Sequence, residues 1–188
     1  LELVNIMTRA MRRATLPIQY SQGFHPKPKI AFADALPIGI ESHAETMIFS
    51  APADLDFAAV PTRLNPQLPS GLKIINCRPA PIKGAESTVS PLEYGVYLSQ
   101  GQFSVNCLDT FNKADNFTYT RRSAKGKLKT IDLKTMIKDI EIRNSQELRL
   151  ILRRDNGSPP RPAVIMTEIF GLGHEAVSSA RVVKFPEF

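Results

Sequence analysis

Between Arg78 and Pro91 the chain carries Pro79, Pro81, Gly84, two serines and a threonine. Proline removes a backbone donor and fixes its own φ, and glycine adds freedom, so such a run interrupts any helix or strand. It splits the chain into two stretches of roughly 90 residues, each within the range of a small domain. The expected organisation is therefore residues 1–78 as one domain, 79–92 as a linker and 93–188 as a second domain. The 188 residues suffice for real cores without disulfide staples.

Composition narrows the class. Cys77 and Cys107 lie thirty residues apart, and His25, His43 and His174 do not cluster, so no CxxC or zinc-type spacing exists. No metal is expected in this chain. Free thiols fit a cytoplasmic setting. No apolar run approaches the ~18 residues that suggest a spanning helix, so no membrane role is expected. The chain starts at Leu1 without a charged and apolar leader. That start reads as a cut from a longer polypeptide.

In the first half, Leu3, Met7, Ala10 and Ala14 recur at helical spacing over residues 1–15. Arg9, Arg12 and Arg13 fall on one side of that helix, where like charges repel. They form either a solvated face or an anion-binding one, for which Arg's planar fork is suited. Pro17 is expected to end the helix. Ile30–Ala33 and Glu45–Ser50 read as an antiparallel pair, with 36–43 as a bend and polar loop between them. Asp54 or Asp56 can cap a helix running to Leu68, broken by Pro61 and Pro66. Leu72–Cys77 reads as a third strand. Helix, strand, strand, helix, strand is the βαββαβ ferredoxin-like order short of its first strand. The fold class expected is thus α+β, with a ferredoxin-like N-terminal half and a second, sheet-rich α+β half.

The second half opens with a strand over Glu93–Ser99 and a short helix over Val105–Ala114. A hairpin of Phe117–Arg122 and Lys127–Leu133 follows. Thr135–Ile142 is ambiguous between strand and helix. In Glu147–Arg153, Leu148, Leu150 and Leu152 alternate with Arg149 and Arg153, the pattern of a half-buried strand. Asp155–Ser158 reads as a turn, Pro162–Gly171 as a helix and Ala180–Phe185 as a last strand.

The net charge of +6 is uneven. Residues 1–40 carry +3 and residues 119–154 carry +7, while 41–118 carry −3 and 155–188 carry −1. Two basic blocks are an electrostatic footprint if the fold exposes them. In the first, Tyr20, Phe24, His25, Lys27 and Lys29 sit on a loop stiffened by Pro26 and Pro28. Aromatics beside cations suit base stacking with phosphate contact. The alternative is a rigid connector whose rings pack inward. In the second, Tyr119 is followed by Arg121, Arg122, Lys125, Lys127, Lys129 and Lys134. A hairpin so charged can follow a phosphate backbone, or its lysines can simply guard a sheet edge. Asp132, alone among these cations, is expected to form a local salt bridge.

These residues also carry a resemblance. Arg9–Arg13, Ala14, Leu16-Pro17 and the block Tyr20-Ser21-Gln22-Gly23-Phe24-His25-Pro26-Lys27-Pro28-Lys29-Ile30 resemble the bacterial radical-SAM-linked domain of unknown function. Leu36-Pro37-Ile38-Gly39-Ile40-Glu41-Ser42 and Glu45 extend it, and Lys129-Thr130-Ile131-Asp132 and Arg161-Pro162 are weaker landmarks. That family lies beside or fused behind cobalamin-binding radical SAM proteins. Its pattern has an Arg-Phe-Leu-Ser-His-like strand just before this start, and ordinary helix formers where this chain has Pro61 and Pro66. The resemblance implies a radical SAM protein as partner, which would hold the iron–sulfur cluster and S-adenosylmethionine, with no cofactor in this chain. It supplies no catalytic residues.

Three functions remain in play. The leading one is an RNA-binding accessory that presents substrate to the radical SAM partner, through Arg9, Arg12, Arg13, Tyr20, Phe24, His25, Lys27, Lys29, Arg121, Arg122, Lys125 and Lys127. The second is a protein-docking module for that partner. The third is a metal-free RNA-processing enzyme, with His25 as its one weak catalytic candidate. No paired carboxylates, nucleophile elbow or phosphate-binding glycine loop occurs.

Overall fold

The computed structural model describes residues 2–33, 36–43, 45–80, 90–122, 126–154 and 159–186. The chain folds as two compact units. The first comprises Leu1–Ala35 and Glu45–Glu86, and the second comprises Leu36–Ala44 and Ser87–Phe188. The segment 36–44, expected inside the first domain, therefore belongs with the second.

The first unit begins with helix α1 (Glu2–Arg13), which buries Met7, Ala10 and Met11 along one side. These pack with Ala14, Leu16, Leu55, Val60 and Leu64. Each large apolar side chain so buried contributes about 1.5–3 kcal/mol. The helix stops at Arg13, before the expected Pro17, and Ala14 and Thr15 form the turn that ends it. Thr15 takes a positive φ of 50°. The Leu16 amide donates to the Met11 carbonyl at 3.1 Å and the Thr15 amide to the Arg12 carbonyl at 3.0 Å. That pair of bonds is a Schellman cap, with buried Leu16 closing over Met11. Arg63 donates to the carbonyls of Ala14 (2.9 Å) and Thr15 (2.8 Å), satisfying acceptors the helix end leaves open.

Strands β1 (Ile30–Phe32), β2 (Ile40–Ser42) and β3 (Met47–Phe49) follow. β1 and β3 pair antiparallel, with Ile30 opposite Phe49 and Phe32 opposite Met47. All four of these side chains face the first unit's core. The expected 54–68 helix is shorter, α2 (Ala59–Leu64) followed by a 3-10 turn over Asn65–Gln67. Pro66 sits in the first turn of that 3-10 segment, where the helix breaks as expected, whereas Pro61 lies near the start of α2 and does not interrupt it.

Leu72–Cys77 is not a strand. Its central residue is held by a side chain instead. The Ile74 amide donates to Asn65 Oδ1 at 2.7 Å, and Asn65 Nδ2 donates to the Ile74 carbonyl at 3.0 Å. An amide side chain here does the work of a neighbouring strand. The ferredoxin-like order expected of the N-terminal half is therefore not seen among its described residues. What holds is the coarser expectation, a mixed α+β chain.

The second unit contains β4 (Leu92–Tyr97), α3 (Val105–Lys113), β5 (Thr118–Arg122), β6 (Leu128–Asp132), α4 (Leu133–Met136), β7 (Ile137–Asn144), β8 (Glu147–Leu152), α5 (Pro162–Glu168), α6 (His174–Ser179) and β9 (Arg181–Phe185). The ambiguous stretch after the hairpin is one helical turn and then a strand. The turn expected at 155–158 lies outside the described residues. Five strands form a sheet in the order β2-β9-β4-β8-β7. β4, β7, β8 and β9 pair antiparallel throughout, whereas β2 joins β9 in parallel. Tyr94, Val96, Leu148, Leu150, Leu152 and Val182 bury one sheet face against Phe111 of α3 and Ile165 and Met166 of α5.

The polar Glu41-Ser42 pair becomes strand because β9 offers it an edge. Ile40 stands opposite Val182, and the His43 amide donates to the Lys184 carbonyl at 2.9 Å. Arg181 grips Glu41 through Nε (3.0 Å to Oε1) and Nη2 (2.8 Å to Oε2), and its guanidinium lies 5.5 Å from the Tyr97 ring centre.

The Arg181 hydrogen bonds hold the Glu41 carboxyl below its usual range, helped by the charges of Arg181 and His43 and opposed by desolvation. A carboxylate whose folded pKa is lowered stabilises the fold fully above its unfolded value near pH 4. That contribution is lost as the pH falls through the lowered value. Amide exchange at His43 should therefore be slower in the native chain than in Glu41→Gln near neutral pH. The gap should close as the pH falls below that lowered value, and a gap unchanged there would contradict the assignment.

Candidate nucleic-acid interface

The sequence-predicted residues fall in both units, and each group is described within its own. In the first unit, Arg9, Arg12 and Arg13 are all exposed. Arg13 is occupied, donating through Nε to Gln67 Oε1 at 3.2 Å and through Nη2 to the Gln67 carbonyl. Arg9 and Arg13 line an open groove of about 460 Å³ with Ile6, Pro66, Gln67 and Leu68. Arg12 turns toward the loop, with Nε 3.4 Å from the Tyr20 hydroxyl and the guanidinium 5.7 Å from the ring centre.

The loop itself is a closed stem with an open tip. Tyr20 and Pro28 form an antiparallel bridge. The Ser21 amide donates to the Lys27 carbonyl (2.8 Å), and the Lys27 amide donates back to Ser21 Oγ (3.0 Å). Below, the Lys29 amide donates to the Gln19 carbonyl (2.9 Å) and the Gln19 amide to the Ser50 carbonyl (2.8 Å). Gly23 turns the tip with φ 132°, a value side-chain-bearing residues rarely adopt. Phe24 is fully exposed and His25, Lys27 and Lys29 are exposed, while Tyr20 is half-buried. The alternative in which the rings pack inward therefore fails for Phe24 and holds in part for Tyr20. His25 has no hydrogen-bond partner among the described residues, so nothing there orients it as an acid or base.

In the second unit the 119–154 block divides in two. Two of its later arginines, Arg143 and Arg149, are paired. Arg149 Nε lies 2.6 Å from Glu93, and its Nη1 is 3.6 Å from Asp139 and 3.9 Å from Glu141. Arg143 lies 3.7 Å from Glu141. These ion pairs on strands β7, β8 and β4 were invisible in a linear count, because Glu93 is 56 residues from Arg149.

The hairpin differs. Its base is anchored in the core by Tyr119 and Ile131, and Phe117 meets Phe111 edge-on at 5.4 Å. Beyond that base Arg121 stands directly opposite Lys129, and Arg122 opposite Leu128. Arg121, Arg122, Lys127 and Lys129 are exposed. Arg121, Arg122 and Lys129 have no hydrogen bond or ion pair among the described residues. Like charges directly across an antiparallel pair destabilise it. Lys125 lies outside the described residues, as does the turn expected at 123–125.

Asp132 makes no salt bridge among the described residues. Its Oδ1 accepts from the amides of Phe117 (2.9 Å) and Lys134 (3.0 Å), capping α4 and closing the hairpin base. Lys134 is also drawn away, with Nζ 4.5 Å from the Phe111 ring centre and 3.0 Å from the Asn112 carbonyl. The upper hairpin thus gathers exposed cations on one ribbon, while Lys138 and Arg153 of the same block are exposed elsewhere in this unit.

Among the described residues no group of three or more His, Cys, Asp or Glu side chains is placed to hold a metal ion. Among them, too, no helix is long and apolar enough to cross a membrane. No curated protein and no solved structure matches this chain. A family model described as an uncharacterized protein conserved in bacteria (DUF2344) does match, over residues 1–162, most of both units, and the chain belongs to that bacterial family.

Proposed function

We propose that this chain is an RNA-binding accessory of a radical SAM system, presenting substrate to an enzyme that carries the iron–sulfur cluster and S-adenosylmethionine. The observation that carries the RNA reading is the like-charged rung of Arg121 and Lys129, beside Arg122, with no carboxylate in reach among the described residues. A fold that pairs Arg149 and Arg181 closely leaves these three for an outside anion, and a phosphate backbone supplies anions in series. The radical SAM partnership rests on the resemblance of residues 9–45 to the radical-SAM-linked domain.

The ferredoxin-like arrangement belongs, in this reading, to the second unit. Its elements run β4, α3, β7, β8, α5, β9, with the hairpin and α4 inserted before β7, α6 inserted before β9, and β2 added at the sheet edge. Numbered along that path, the sheet order is 4-1-3-2. One sheet face is then covered by helices and the other carries the Arg149 ion pairs.

Filter binding of the full chain to transfer and ribosomal RNA across a salt series tests the RNA reading. Binding that weakens linearly in log–log form with salt is expected. Undetectable binding at low salt would sink it. Co-purification with a radical SAM protein that survives nuclease treatment tests the partnership separately.

A further inference from the structure

We propose that Phe24 is a stacking wedge that selects unpaired nucleobases, so that the RNA recognised is single-stranded or looped. This rests on the RNA reading above and names its substrate class. A bare phenylalanine in water needs a reason, because burial is its ordinary fate. Here the exposure is built in. The stem below it is tied by the Tyr20–Pro28 bridge and by the reciprocal Ser21–Lys27 hydrogen bonds. Pro26 and Pro28 stiffen the return strand. The ring is thus held out on a pre-ordered support and loses little further freedom when it meets a partner.

The surroundings say which partner. Residues 20–29 hold Lys27, Lys29 and His25 and no carboxylate. Arg12 lies behind them over Tyr20. An apolar protein groove would gain nothing from these cations, whereas a nucleotide offers a π-face to the ring and a phosphate to the lysines. In a duplex the base faces are already stacked on each other, and a ring enters only by kinking the helix at a cost of a few kcal/mol. In a single strand every base offers a face at once.

The chain contains no tryptophan, which makes the test direct. A labelled RNA of about 12 nucleotides is titrated with the full chain, alone and annealed to its complement, at one salt concentration. The single strand should bind at least about tenfold more tightly than the duplex. Phe24→Ala should lose about tenfold or more on the single strand and little on the duplex. Phe24→Trp should retain binding, and its sole indole should be quenched by the single strand. Equal loss on both RNAs, or binding without quenching, overturns the wedge while leaving RNA binding standing. Absence of binding to either RNA overturns the RNA reading itself, and the wedge with it.

Discussion

Replacing Arg121, Arg122 and Lys129 together with glutamine should weaken RNA binding by roughly 10- to 100-fold at low salt and flatten the salt dependence. Each phosphate contact contributes about 0.7 to the log–log slope on a single strand, so three lost contacts remove about two. The same substitutions should leave the fold intact, because all three side chains are exposed. They should even raise stability slightly. Arg121 faces Lys129 across the pair, and relieving a like-charge rung is worth about 0.2–1 kcal/mol. The opposite signs make the experiment informative. If these cations only shield a sheet edge from aggregation, the variant should self-associate while its RNA binding stays unchanged. Binding constants and light scattering on the same preparations separate the two.

The largest loss of stability is expected at Leu150→Ala. Leu150 has no solvent exposure and sits on β8 between Tyr94 of β4 and Ile140 of β7. Truncating a buried leucine removes its transfer energy and leaves a cavity that close-packed neighbours fill only in part, a cost of about 2–5 kcal/mol. Set against typical stabilities of about 5–15 kcal/mol, that should move a denaturant midpoint far. The adjacent Arg149→Ala should cost less, about 1–2 kcal/mol: its pairs with the half-exposed Asp139 and Glu141 are screened, and most of the cost lies in the 2.6 Å bond to the partly buried Glu93. Urea titrations of the two variants should therefore differ clearly. A Leu150→Ala midpoint close to that of Arg149→Ala would mean the β4–β8–β7 face is not the close-packed core described.

Local patterns in the chain carried much of this. The 3.6-residue spacing of Met7, Ala10 and Ala14 placed α1, and the alternation of Leu148, Leu150 and Leu152 placed β8 and its buried face. Pro66 announced the break after α2, although Pro61 did not interrupt that helix. The proline-bounded block 20–29 announced a stiff, basic loop. These features depend on neighbours within a few residues, so periodicity and backbone restriction reveal them.

Other features depend on partners far along the chain. Glu41-Ser42-His43 reads as loop because its residues are polar, and only the edge of β9, about 140 residues later, makes its first two residues strand. Leu72–Cys77 reads as a strand, yet Asn65 takes the place of a neighbouring one. Asp132 looks like a counterion among lysines, and the fold uses it as a helix cap. Most of all, the +7 of residues 119–154 is a single number in the sequence. By itself the sequence determined which side chains are charged, aromatic or stiffly held. Tertiary structure alone decided which of those charges are already answered, since a salt bridge such as Arg149–Glu93 forms through space across paired strands, where a linear count has no reach.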